Sequence, residues 1–285
     1  MMMNQSLNHD MLDDDEARVA QSYADDFGKP GMDDPARMYI SQCYDGYTEE
    51  NQETWTALYD QQMDYLKEHA SNVYLDGARA IKLVRDHIPH LEGDLSINTY
   101  LGALTGWQSK PVPGYLPAKA FFACLSRREF PTTIVIRPKE SIKYLPEPDI
   151  FHDIFGHVPL HADPVFADFL QTYGKASLLA EDPYHTERLS RLFWFTVEFG
   201  LIQEAGELKL YGSGLISSPG ESRHALDSKD VERRPFDLDA VCETPFEIDH
   251  YQPILYVLES FEQLRDGMNE YAQRILEGVG AGNPA

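Results

Sequence analysis

Through much of the chain apolar residues recur three and four positions apart, the period of a helix with one buried face. In "TEENQETWTALYDQQMDYLKEHA" (48–70), Trp55, Leu58, Tyr59, Met63 and Leu66 form one stripe, and Thr48 stands where a helix cap belongs. "NVYLDGARAIKLVRDHI" (72–88) repeats the pattern with Tyr74, Ala78, Ile81 and Val84. "PAKAFFACLSRR" (117–128) predicts a short helix with Pro117 near its start. "ERLSRLFWFTVEFGLI" (187–202) is too long and apolar for a surface strand and predicts a buried helix. "ILYVLESFEQLRDGMNEYAQRILE" (254–277) predicts a long amphipathic helix closing the chain. Strands are expected in the β-branched "TTIVIR" (132–137) and at the start of "LKLYGSGLISS" (208–218), which then enters a Gly/Ser turn. The sum is one mostly helical α+β domain with few short strands. No G-x-G-x-x-G follows a strand, so a dinucleotide-binding βαβ unit is not expected.

Residues 1–35 break this pattern. They are polar, acidic and punctuated by Gly and Pro ("DDFGKPGMDDP"), and are expected to form a flexible arm with at most one short helix. The folded domain is expected over 36–276, with a tail at 277–285. Its 16 Tyr, 14 Phe and 3 Trp can fill a core or line an apolar pocket. Charge narrows the partners. With 47 acidic against 24 basic residues the net charge is −23, which repels nucleic acid and anionic membranes. No calcium-loop motif is present, so the acidity is read as solubility. The three cysteines, Cys43, Cys124 and Cys242, include no C-x-x-C pair and fit a reducing cytoplasm. No secretory signal and no membrane-length apolar run is seen. A cytoplasmic monomer acting on small molecules is expected.

The chemistry concentrates in "EPDIFHDIFGHVPLHADPVFADF" (147–169). His152 and His157 are five apart, which on a regular helix turns them ~140° away from each other. They can converge if the helix ends between them. Gly156 suits a left-handed cap, and Pro159 biases Val158 away from helix. Glu198 is the third candidate ligand, because Trp194, Phe195, Leu201 and Ile202 at helical spacing would bury it. A carboxylate there needs a proton, a cationic partner such as Arg191, or a metal. Two His and one carboxylate with open positions suit non-haem Fe(II), and the same ligands suit catalytic zinc with Asp153 as base. The residue types leave iron and zinc both open.

"PEPDIFHDIFGHVPL", "WFTVEFGL" and "YGSGLISSPGE" resemble, in order and spacing, three blocks of the pterin-dependent aromatic amino acid hydroxylases. The similarity covers residues 111–261 and is nearest to the short bacterial phenylalanine hydroxylases, with the catalytic domain alone represented. The resemblance implies a helical, basket-like fold with mononuclear Fe(II) on His152, His157 and Glu198. It implies a tetrahydropterin, such as tetrahydrobiopterin, that reduces O2 together with the iron to attack an aromatic ring. In "VPGYLPAKAFF", Gly114, Leu116 and Phe121 match the pterin-contacting loop, and Asp153 matches an acid reaching the pterin through water. Arg137 matches the arginine that holds the substrate carboxylate, with Asp149 supporting it. Ser217 is expected to hydrogen-bond the bound amino acid. Tyr144, Pro148, Trp194 and Gly214 are expected to shape its pocket, with Trp194 also close to the chemistry.

The chain departs from the animal members at Phe193, where they carry tyrosine, and at Leu145, where they carry threonine. Ile248 stands where tyrosine hydroxylases tend to have an acid. An apolar wall there would suit an unsubstituted phenyl ring, because a phenol hydroxyl would lack a partner. The expected reaction is therefore phenylalanine to tyrosine, with tryptophan or tyrosine as alternative substrates.

Overall fold

A computed structural model describes residues 13–142, 148–248 and 250–278. Helix α1 (Asp14–Asp26) starts at Asp13, whose side chain accepts from the N–H groups of Asp15 and Glu16. Polarity suggested a loose arm for this segment, yet Ala20, Tyr23 and Ala24 are buried. Tyr23 and Ala24 build a small second core with Met38, Val112, Leu116, Ala120 and Cys124. A narrow apolar stripe docks a helix whose average composition is strongly polar.

Helix α2 (Glu49–His69) begins as expected. Thr48 Oγ1 accepts from the Asn51 N–H, and Asn51 Oδ1 accepts from the Thr48 N–H. Trp55, Leu58, Met63 and Leu66 are buried, while Tyr59 is half-buried. Helix α3 (Asn72–Ala80) is shorter than its spacing suggested. Lys82 adopts φ 53°, and the Leu83 N–H bonds the Ala78 carbonyl at 2.9 Å, a closing turn that leaves Val84 outside the helix.

Helix α4 (Ile97–Thr105) leads into β1 (Gln108–Val112), and α5 (Ala118–Ser126) crosses back to β2 (Glu129–Thr133), parallel to β1. This is a βαβ unit without the glycine-rich loop. The strand expected at 132–137 is displaced, since β1 ends at Val112 opposite Thr133 and offers no further partner. Ile134, Val135 and Ile136 continue as buried chain outside any strand to Arg137, with the Tyr47 hydroxyl donating to the Ile134 carbonyl and the Ile150 N–H to the Val135 carbonyl.

Helix α6 (Pro164–Leu179) packs on α5, and α7 (Pro183–Phe193) follows. A four-stranded sheet then forms from β3 (Leu201–Glu204), β4 (Glu207–Leu210), β5 (Glu232–Pro235) and β6 (Ile254–Leu258), in the order β4-β3-β6-β5. Between its strands lie α8 (Ser213–Ser217), α9 (Pro219–Asp227) and α10 (Leu238–Glu243), and α11 (Phe261–Leu276) closes the chain against α6.

Three expectations are corrected here. The run 187–202 is not one helix, because Leu201 and Ile202 belong to β3. The run 254–277 divides at Ser260, which caps α11 by accepting from the Gln263 N–H. Its first five residues, rich in branched and aromatic side chains, pair with both β3 and β5. The Gly/Ser turn after β4 is the short helix α8. The mostly helical α+β class stands. Among the described residues no helix is long and apolar enough to cross a membrane.

Candidate active site

The segment 151–162 stays helical throughout and changes pitch. Phe151–His157 is a π-helical turn, continued directly by a 3-10 turn, Val158–Ala162. A π turn bonds i to i+5, so residues five apart share a face. That brings His152 and His157 together, rather than a helix end between them. Gly156 has no positive φ. Its lack of a side chain serves packing, because a Cβ there would lie 3.0 Å from the Ser213 carbonyl oxygen of α8. Val158 is helical (φ −62°, ψ −34°), since Pro159 falls in the first turn of the 3-10 helix, where no N–H is needed. Phe151 and Phe155 stack at 4.5 Å in the core, and Tyr74 donates to the Phe155 carbonyl at 2.8 Å.

Glu198 ends a second π-helical turn, Trp194–Glu198. Its Oε1 is 3.1 Å from His157 Nε2, and its Oε2 is 3.7 Å from His152 Nε2. The two Nε2 atoms are 3.2 Å apart. Donors at right angles and about 2.1 Å from one ion would be ~3 Å apart, so the cluster fits a metal. Arg191 does not neutralise Glu198, because its guanidinium binds Glu187 and the carbonyls of Cys242 and Glu243. Protonation also fits. Burial lowers the His152 pKa to about 4, against the pull of Glu198. Burial would raise Glu198, but His157, His152 and the Ser213 hydroxyl outweigh it and hold it at about 2. His152 is thus uncharged at neutral pH, and Glu198 is ionised. Neutral imidazole and carboxylate are the forms that bind metal.

Arg137 and Asp149 form a buried bidentate pair, Nε to Oδ2 and Nη2 to Oδ1, both 2.8 Å. Asp149 also accepts from the backbone N–H groups of Arg137 and His152, each at 3.0 Å. One carboxylate thus ties the arginine to the π turn. Nη1 of Arg137 has no partner among the described residues, leaving a cationic donor for a carboxylate. Asp153 is buried, and its Oδ2 accepts from Thr133 N–H (2.7 Å) and Oγ1 (2.8 Å). Burial raises its pKa to about 7, with His157 and Thr133 opposing.

The family model of the biopterin-dependent aromatic amino acid hydroxylases matches residues 40–279. The chain belongs to this family. It is 44% identical over 236 residues to a phenylalanine-4-hydroxylase of Mesorhizobium japonicum, covering 81% of this chain and 82% of that one. It is 42% identical to the rat tyrosine 3-monooxygenase, covering 80% of this chain but 46% of the relative. The crystal structure of Chromobacterium violaceum phenylalanine hydroxylase with bound iron(III) and oxidised 7,8-dihydrobiopterin superimposes with a TM-score of 0.79 at 36% identity, covering 94% of this chain and 96% of that one.

In this hydroxylase the other expected site residues occupy varied surroundings. Gly114 and Phe121 are half-buried, and the Phe121 ring meets Phe130 and Phe193 edge-on. The Leu116 side chain enters the small core under α1. Trp194 stacks on Phe246 at 4.6 Å and tilts against Phe199 at 4.7 Å. Gly214 fits beside Phe199, where a Cβ would come within 3.1 Å of the ring. Ser217 Oγ is 2.8 Å from His152 Nδ1. With His152 Nε2 facing the cluster, Nδ1 carries the proton and donates to Ser217, fixing the ring. Pro148 is exposed, and Tyr144 and Leu145 lie outside the described residues.

Ile248 differs from its expected role. It is 75% exposed, so it is not a packed apolar wall. Three neighbours escaped the sequence reading: Thr133 on Asp153, Phe130 at 4.8 Å from the His157 ring, and Ser213, whose hydroxyl donates to Glu198 Oε2 at 2.7 Å. The "GSG" of 212–214 was the available signal for the last.

Proposed function

We propose that this protein is a phenylalanine 4-monooxygenase converting L-phenylalanine to L-tyrosine with O2 and a tetrahydropterin at a mononuclear Fe(II). The carrying observation is the juxtaposition of His152, His157 and Glu198 with a buried arginine, Arg137, locked by Asp149 with one guanidinium nitrogen left over. When bound, iron and a reduced pterin would supply the electrons for splitting O2, and O2 would supply the oxygen inserted into the ring. The protein's own work is positional. His152, His157 and Glu198 would hold the iron, leaving positions open to other ligands. Arg137 Nη1 receives the substrate carboxylate, and Asp149 fixes the guanidinium so that little rotamer freedom is lost on binding. Phe121 would offer its ring to the pterin, together with Gly114 and Leu116. Thr133 holds Asp153 Oδ2, so Oδ1 would be the oxygen left to reach the pterin. Trp194, Pro148 and Gly214 shape the aromatic pocket, and Ser217 sets His152.

The choice of phenylalanine over tyrosine is supported by the match to a bacterial phenylalanine-4-hydroxylase over 82% of that relative, whereas the tyrosine 3-monooxygenase is matched over less than half its length. A cytoplasmic monomer working in phenylalanine breakdown completes the reading. The test is pterin-dependent turnover of Phe, Tyr and Trp side by side on the Fe(II)-loaded enzyme. Tyrosine formed from Phe at the highest kcat/KM is expected. No tyrosine from an iron-loaded, folded enzyme would overturn the reading, and preferential turnover of Tyr or Trp would reassign the substrate.

A further inference from the structure

We propose that Ser213 is a positioning residue for the metal centre, holding Glu198 Oε2 so that Oε1 alone is presented to the ion. The inference rests on the metal reading of His152, His157 and Glu198. Ser213 Oγ lies 2.7 Å from Glu198 Oε2 and 3.2 Å from the Val197 carbonyl oxygen. The hydroxyl has one proton, and the shorter, charge-assisted contact to the carboxylate takes it. Ser213 is fully buried, so water does not compete. Oε1 faces His157 Nε2 at 3.1 Å and accepts from no hydroxyl or backbone N–H among the described residues.

The surroundings are shaped for this contact. A Cβ on Gly212 would lie 2.5 Å from the Glu198 carbonyl oxygen, and one on Gly214 3.1 Å from it. A Cβ on Gly156 would lie 3.3 Å from that of Ser213. Three glycines therefore let the Ser213 backbone press against both π turns, carrying its hydroxymethyl group to Glu198. A carboxylate can bind a metal through one oxygen or two. Binding through both would fill a position that O2 or substrate needs. The hydroxyl on Oε2 biases Glu198 toward the first mode.

Cobalt(II) replaces iron as the probe, because its visible ligand-field absorption weakens as coordination number rises. The full chain is loaded with Co(II) as wild type, Ser213→Ala and Ser222→Ala, and affinity is measured by chelator competition. Ser222 is an equally buried serine that donates to the Leu215 carbonyl at 2.6 Å, away from the ligands. The expected result is a weaker, shifted absorption for Ser213→Ala, with affinity reduced roughly tenfold, and an unchanged spectrum for Ser222→Ala. A Ser213→Ala spectrum identical to wild type overturns the proposal, whether or not its Tm or affinity falls, because a merely structural serine would do only that. Absence of stoichiometric Co(II) in wild type would instead overturn the metal reading itself.

Discussion

The floor of the metal pocket and the helix α1 cap are both buried, but they are held by different physics. The floor is polar and overdetermined. Asp149 accepts four hydrogen bonds there, two from the Arg137 guanidinium and two from backbone N–H groups. Gly212 brings main chains together at a distance no Cβ would permit, and Gly156 and Gly214 do so at distances where a Cβ would force its neighbour to shift. The α1 cap rests on a few apolar side chains, Tyr23 and Ala24 against Met38, Leu116 and Cys124. A polar network fixes atoms to within tenths of an ångström but fails sharply when one member is lost. An apolar contact tolerates change and yields gradually.

The largest expected effect is on the metal. Glu198→Ala should abolish stoichiometric metal binding at concentrations that saturate the wild type, measured by elemental analysis after gel filtration. Retained metal would remove Glu198 from the ligand set. Next comes Asp149→Ala, which strands the buried Arg137 charge and should lower stability by about 3–5 kcal/mol in denaturant unfolding. KM for phenylalanine should rise with it. A smaller loss would mean that water reaches Arg137. Gly156→Ala should cost about 1–3 kcal/mol and weaken metal binding, since the new methyl pushes α8 from the π turn. If it is neutral, the close approach is not what Gly156 is for.

On the other side of the comparison, Tyr23→Ala should cost about 1–2 kcal/mol and leave metal affinity within about twofold, separations of this kind being additive. A large loss of metal would show that α1 and the pocket are coupled. The smallest effect concerns a carboxylate outside the pocket. Glu221 has no ion pair or side-chain hydrogen bond among the described residues, and burial raises its pKa to about 7. Its folded pKa exceeds the unfolded value near 4.5, so the folded state binds the extra proton and stability falls as pH rises through that window. Glu221→Gln should flatten this slope, raising stability by roughly 1 kcal/mol at pH 8 after allowance for partial exposure, and by little at pH 5. Equal Tm values at both pH would discard it. The contrast with Glu198, held near 2 by His157 and Ser213 despite deeper burial, is the contrast between a carboxylate with partners and one without.

The long stripe of α2 and its Thr48 cap were legible because helix period and capping are local. The three candidate ligands, which the structure brings together, were legible because a buried carboxylate and two nearby histidines have few other uses. The mechanism of their convergence was not. A five-residue spacing says only that a regular helix is inadequate, and both a broken helix and a π turn repair it. The choice follows from Tyr74 on the Phe155 carbonyl and from α8 pressed on Gly156, contacts that join distant parts of the chain. Likewise "ILYVL" reads equally as helix or strand until β3 and β5 stand on either side of it.

The sequence by itself therefore determined which residues are candidates for metal, carboxylate and ring, the family the chain resembles, and the helices whose apolar period is strong. Only the tertiary structure decided the pitch of the two π turns, the docking of α1, the exposure of Ile248 and the placing of Ser213 on Glu198. Each of these depends on which surfaces meet, and close contacts between segments far apart in sequence leave no periodic trace along the chain.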